Sequence, residues 1–133
     1  MATELWILLW AAALGLVHIL LAAFVWTGEV GLEYNAGPRD REKPVSGKLT
    51  GRLKRAQANF FETFPLFAAA ILVAVVAGRT GGHAALGGWI YLAGRVVYIP
   101  LYAVGVPYLR SIAWAVSLIG LVMVWLAAAG ILA

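Results

Sequence analysis

The chain has 133 residues, of which 63% are hydrophobic and 12% charged, with a formal net charge of +4 and no cysteine. A soluble domain carries about a quarter charged residues, so an ordinary water-soluble fold is excluded and an integral membrane protein is indicated. The missing cysteines exclude disulfides, thiolate metal sites and cysteine nucleophiles, and two distant histidines, His18 and His83, do not make a metal centre within one subunit.

Four apolar segments can each cross a bilayer, which takes about 20 helical residues. The first runs from Glu4 to Thr27. It is too long for a signal core, follows no basic residue and shows no clear cleavage site, so it is expected to be retained. A charged connection follows from Gly28 to Gly51, broken by Gly37-Pro38, Pro44 and Ser46-Gly47. The second span runs from Arg55 to Gly78, with polar residues in its first turns. A tight turn at Thr80-Gly81-Gly82 leads to the third, His83 to Val104, which carries Arg95. Another short link, at Gly105-Val106-Pro107, leads to the fourth, Tyr108 to Ala133, uncharged after Arg110. Lipid-exposed non-helical backbone is excluded by its unpaired peptide groups. Short links make neighbouring helices antiparallel. The expected fold is therefore an all-α integral membrane protein, a four-helix up-down bundle with residues 1–133 forming one membrane domain.

Basic residues set the orientation. Arg39, Arg41, Lys43, Lys48, Arg52, Lys54, Arg55 and Arg110 lie at one face and Arg79 at the other. The long loop is expected on the cytoplasmic side, with both termini on the far side. Basic residues beside a membrane attract anionic headgroups, so nucleic acid is not an expected partner. Pro65 and Pro100 fall inside spans and free the carbonyls of Phe61 and Val96, which predicts kinks. The tryptophans suit interfacial belts, and Gly15, Gly120 and Gly130 suit close helix contacts. No Walker loop, dinucleotide fingerprint or HExxH motif occurs.

Arg55, Asn59 and Glu62 stand at i, i+4 and i+7, on one helical stripe with Arg52. Tyr91, Arg95, Tyr98 and Tyr102 form a second stripe on the third span. Ionisable groups in a membrane segment point to a functional site, and a cation, an amide and an anion on one stripe make a socket for a small zwitterion. Glu62 either pairs with Arg95 or Arg55 to hold the bundle or serves the socket. Arg110 is either a lipid-phosphate anchor or a cation aimed into the bundle, where it would stabilise a thiolate. His18 is expected to hydrogen-bond across a helix interface. A lipid headgroup held without catalysis is the alternative reading of the same site. An ion path is disfavoured because the polar residues cluster at one end.

The run RLKRAQANFFETFPLF, Arg52 to Phe67, resembles the signature of the MAPEG family, membrane-associated proteins in eicosanoid and glutathione metabolism. Arg95-Val96-Val97-Tyr98 with Tyr102, and Pro107-Tyr108-Leu109-Arg110-Ser111, resemble the same family. The resemblance implies a homotrimer that binds glutathione between subunits near the cytoplasmic face and acts as a transferase or peroxidase on lipophilic electrophiles. By position it assigns glutathione binding to Arg55, Gln57, Asn59, Glu62, Tyr98 and Tyr102, with Gln57 off the stripe and reaching a site shared with the adjacent subunit. It assigns thiolate activation to Arg110. The chain looks most like a bacterial branch, in the inner membrane. Three features differ from the eicosanoid enzymes: acidic Glu29 and Glu33 where the first span ends, Thr63 after Glu62, and the Tyr102-to-Arg110 spacing. Eicosanoid specificity is therefore not implied. Arg39 or Arg41 is left to supply the cation at that exit.

Overall fold

Helices begin and end where their terminal backbone groups find partners, and in this protein those partners come from other helices. The structure is a computed structural model that describes residues 1–41, 43–44 and 47–133; Ser46, one of the expected breakers, lies outside them. The helices are α1 (Thr3–Val30), α2 (Leu32–Ala36), α3 (Lys48–Val76), α4 (Gly82–Val104) and α5 (Pro107–Ala128). All but α2 are long and apolar enough to cross a membrane, and no strand occurs among the described residues. The protein is a four-helix membrane bundle.

Two boundaries differ from the sequence expectation. α3 starts at Lys48 rather than Arg55 because hydropathy marks where lipid begins, not where helix begins. Its first residues include good helix formers such as Lys, Leu and Arg. The Gly47 N–H donates to Glu29 Oε1 at 2.6 Å, placing a carboxylate at the positive end of the helix. α5 stops at Ala128, short of Ala133. Arg79 Nη1 donates to the Ala128 carbonyl at 2.7 Å, and Gly130 turns the chain with φ 80°. The same logic closes α4. Arg52 Nη1 donates to the Ala103 carbonyl at 3.3 Å at its C-terminal end, and buried Glu4 accepts from Gly81 N–H at its start. α3 and α4 run unbroken through Pro65 and Pro100. The short α2 was not expected from the sequence.

Small residues seat α4 against α5. A Cβ at Gly120 would lie 2.5 Å from both the Gly87 carbonyl oxygen and the Tyr91 nitrogen, so the two backbones touch. Gly94, two turns along the same face, packs on Ser117 and Ala113. Between helices in lipid, such backbone approach replaces the hydrophobic drive that water would supply. The central core joins Ile7, Ala11 and Leu14 of α1, Phe60, Phe67 and Ile71 of α3, Tyr91 of α4, and Leu121 and Val124 of α5. Phe67 stacks on Tyr91 at 4.0 Å between ring centroids. Leu20, Phe24, Val76 and Ile119 point outward and are exposed, as suits a surface facing hydrocarbon.

Candidate functional site

Where α3 enters the bundle, its Arg55 and Asn59 meet the second half of α4 and the first turns of α5. The spacing of Tyr98 and Tyr102 stacks their rings at 5.4 Å, inclined at 56°. Arg55 Nε donates to Tyr102 Oη at 3.1 Å. The Arg110 guanidinium lies over the same ring, 4.7 Å from its centroid, and that of Arg55 lies 5.9 Å away. One turn deeper, Arg95 Nη1 donates to Asn59 Oδ1 at 2.7 Å, and its guanidinium sits 4.2 Å from the Tyr98 centroid and 5.5 Å from that of Phe60. Two tyrosines thus gather three guanidinium groups from α3, α4 and α5.

The cavity beside this cluster has a volume of about 260 Å³ and is lined by Asn59, Tyr98, Tyr102, Arg110, Ser111 and Trp114. No acidic side chain is among them. Converging cations without a carboxylate on the wall give a positive potential that favours an anionic guest. Pro107, at the start of α5, sets Arg110 at the end of the first turn and Ser111 just beyond it, where the helix end adds further positive character. A larger groove of about 520 Å³ lies between α3 and α5, lined by Leu66, Ala70, Val73, Leu121 and Trp125 among others. It carries no charged side chain and offers only apolar contact.

The six expected binding residues do not all converge. Asn59, Tyr98 and Tyr102 line the cavity with Arg110, and Arg55 reaches it through Tyr102. Gln57 is half-buried and does not line it. Glu62 is exposed and does not line it. It lies within electrostatic reach of Arg95, but the hydrogen bond that Arg95 makes goes to Asn59. Arg52, on the same sequence stripe, turns instead to the end of α4. Ser111 and Trp114 are cavity residues that the sequence reading did not single out. Trp114 stands one helical turn after Arg110, and that spacing was the available signal.

Arg95 is fully buried, and its Nε and Nη2 have no hydrogen-bond partner. His18 is 2% exposed and stacks on Phe60 at 4.9 Å. Its Nε2 has no hydrogen-bond partner, so the cross-helix hydrogen bond expected of it is replaced by a ring contact. The acidic end of α1 is also accounted for. Glu29 caps α3, while Arg39 is held by Asn35 and lies over Trp26. Neither Arg39 nor Arg41 lines the cavity.

A family model for the MAPEG family matches residues 7–130. The chain belongs to the MAPEG family. That family includes glutathione-dependent transferases and peroxidases, and its members use glutathione. MAPEG proteins are four-helix membrane bundles, the architecture found here. No curated protein matches the chain significantly.

Proposed function

We propose that this protein binds glutathione at the cluster of Arg55, Asn59, Tyr98, Tyr102 and Arg110 and transfers its thiolate to lipophilic electrophiles, as a transferase or peroxidase. The observation that carries this reading is the gathering of three arginines on Tyr98 and Tyr102, beside a cavity with no acidic wall. Glutathione has two carboxylates and one ammonium group, and it gains a further negative charge when its thiol ionises. A net-cationic site with an amide and tyrosine hydroxyls fits that donor and acceptor set.

In this reading Arg55 and Asn59 hold the carboxylates and peptide groups, with guanidinium–carboxylate bonds supplying the strongest contacts. The Tyr98 and Tyr102 rings wall the tripeptide. Arg110 faces the sulfur and favours its ionised form, because a fixed cation stabilises the thiolate more than the thiol. The thiolate attacks an electrophilic carbon arriving from the bilayer. A carbon–sulfur bond forms, and the displaced group leaves with the electron pair. In the peroxidase variant the sulfur attacks a hydroperoxide oxygen, the O–O bond breaks and the alcohol leaves, and a second glutathione displaces water from the resulting sulfenic acid to give the disulfide.

Gln57 and Glu62 take part from the neighbouring subunit's side of a homotrimer. The exposure of Glu62 just before the apolar part of α3 supports a protein neighbour there, since a carboxylate facing lipid is costly. A bacterial inner membrane, with the basic loop cytoplasmic and the termini periplasmic, completes the proposal. Calorimetry with millimolar glutathione tests it, and absence of binding heat overturns it. Arg110→Ala is expected to keep the assembly and lose conjugation of a generic electrophile. Chemical cross-linking should give three chains, and any other number removes the trimer.

A further inference from the structure

At the same end of the bundle, the end of α1 carries a second convergence of cations that the glutathione reading does not use. Trp26 stands where the apolar run of α1 ends. Lys54 Nζ lies 4.3 Å from its ring centroid and the Arg39 guanidinium 5.2 Å. The indole N–H of Trp26 is buried and has no acceptor. The indole N–H and the two cations at the ring are all donors.

The arrangement is built rather than incidental. Thr27 Oγ1 donates to the Ala23 carbonyl at 2.7 Å, Asn35 Nδ2 donates to Thr27 Oγ1 at 2.5 Å, and Arg39 Nε donates to the Asn35 carbonyl at 3.0 Å. Arg39 Nη2 also donates to Asn35 Oδ1. This relay ties the guanidinium back to α1, one turn from Trp26, and leaves Nη1 outside the anchoring. Arg39 itself holds a left-handed backbone at φ 55°. Residues other than glycine adopt that conformation at a cost, and such strain clusters at binding sites. Tyr34 packs edge-on against Trp26 at 6.0 Å and carries Lys43 over its own ring at 4.6 Å.

We propose that Trp26, Arg39 and Lys54 bind the phosphate of an anionic phospholipid. The depth fits, because the site lies at the border between an apolar span and a charged loop, where tryptophan and headgroups meet. The chemistry also fits, because a phosphate offers several acceptors to an indole N–H, a guanidinium and an ammonium at once. Glu33 and Asp40 line the neighbouring cavity of about 460 Å³ together with Arg39, Arg41 and Lys43. Neither Trp26 nor Lys54 lines that cavity, so the phosphate sits on the Trp26 side, away from those carboxylates. Lys54, on a flexible four-carbon stem, is the group that shifts to admit it.

The full chain, labelled with ¹⁵N-tryptophan in micelles, is titrated with phosphatidylglycerol, phosphatidylcholine and inorganic phosphate. The Trp26 indole signal is assigned by its disappearance in Trp26→Phe. Phosphatidylglycerol is expected to move that signal downfield and saturate it, with phosphatidylcholine weaker. Arg39→Gln and Lys54→Gln should each weaken phosphatidylglycerol binding about fivefold, the factor one surface cation adds. Exposed Lys48→Gln should leave it unchanged. A shift with inorganic phosphate equal to that with lipid would overturn a lipid site. So would equal response to the two lipids, or unaltered affinity in both cation variants. The readout is independent of glutathione, so failure of either proposal leaves the other standing.

Discussion

Replacing Arg95 by Met separates stability from function at the deepest part of the site. Arg95 is fully buried and makes one hydrogen bond, to Asn59 at 2.7 Å. That bond involves a charged donor and is worth about 1.5–3 kcal/mol. The rings of Tyr98 and Phe60, at 4.2 and 5.5 Å from the guanidinium, add about 0.5–2 kcal/mol each. Against this, Nε and Nη2 are buried without acceptors, at about 1–3 kcal/mol per group. The terms nearly cancel. Arg95→Met, similar in length and able to fill irregular space, is expected to change stability by less than about 1 kcal/mol, as when other buried charges give way to apolar side chains. Asn59→Leu leaves the guanidinium with no hydrogen bond and is expected to cost about 2–4 kcal/mol. The double variant should recover most of that loss. Thermal unfolding in detergent micelles measures all three, and glutathione calorimetry should show weaker binding in Arg95→Met. If Arg95→Met costs more than about 3 kcal/mol, or Asn59→Leu is silent, Arg95 is not an under-satisfied cation held by Asn59.

Arg52→Gln removes the cation that closes α4 and should cost about 0.5–1 kcal/mol while leaving glutathione affinity unchanged, by thermal unfolding and calorimetry. Glu29→Gln weakens the cap on α3 and should cost about 1 kcal/mol, read the same way. Gly120→Val drives a side chain into the Gly87 carbonyl; it should cost at least about 1–3 kcal/mol and lower the unfolding temperature. Arg55→Gln removes the bond to Tyr102 and should weaken glutathione binding about tenfold, the loss of one charge-assisted contact, with unfolding little changed.

The four spans were legible because lipid leaves the backbone no choice but helix, so an apolar run of sufficient length is nearly a structural assignment. The pairing of the Arg55 stripe with the tyrosines of α4 was legible for a related reason: fixed helical spacing places those residues on one face, and polar groups in an apolar bundle must meet one another. What was not legible depends on distance along the chain. That Glu29 reaches the start of α3, or that Arg52 reaches Ala103, follows from how helix ends abut and leaves no periodic trace. Glu62 shares the stripe with Arg55 and Asn59 and acts on Arg95 through space, but it does not line the cavity, because a stripe spans a wide arc. His18 was expected to find a hydrogen bond, and the Phe60 ring occupies the place of a polar partner.

The helix ends also provide a test of which charges need a functional explanation. Glu4 and Glu29 sit at helix N-termini, and Arg52 and Arg79 at C-termini, each matched in sign to the helix dipole. Structure alone accounts for these four, since each satisfies backbone groups that the bundle must satisfy somewhere. Arg39 and Lys54 are gathered at Trp26. Among the described residues, Arg55, Arg95 and Arg110 donate to no helix-terminal carbonyl; they meet tyrosines, an asparagine and a cavity. Arg52 and Arg55 are less than one turn apart on α3, yet one closes α4 and the other binds Tyr102 beside the cavity. A bundle needing only its ends tied has no use for the second arginine, nor for two more brought from other helices to the same ring system. Cations brought together repel one another, and that cost, carried by Arg55, Arg95 and Arg110 at one ring system, supports the proposed anionic guest.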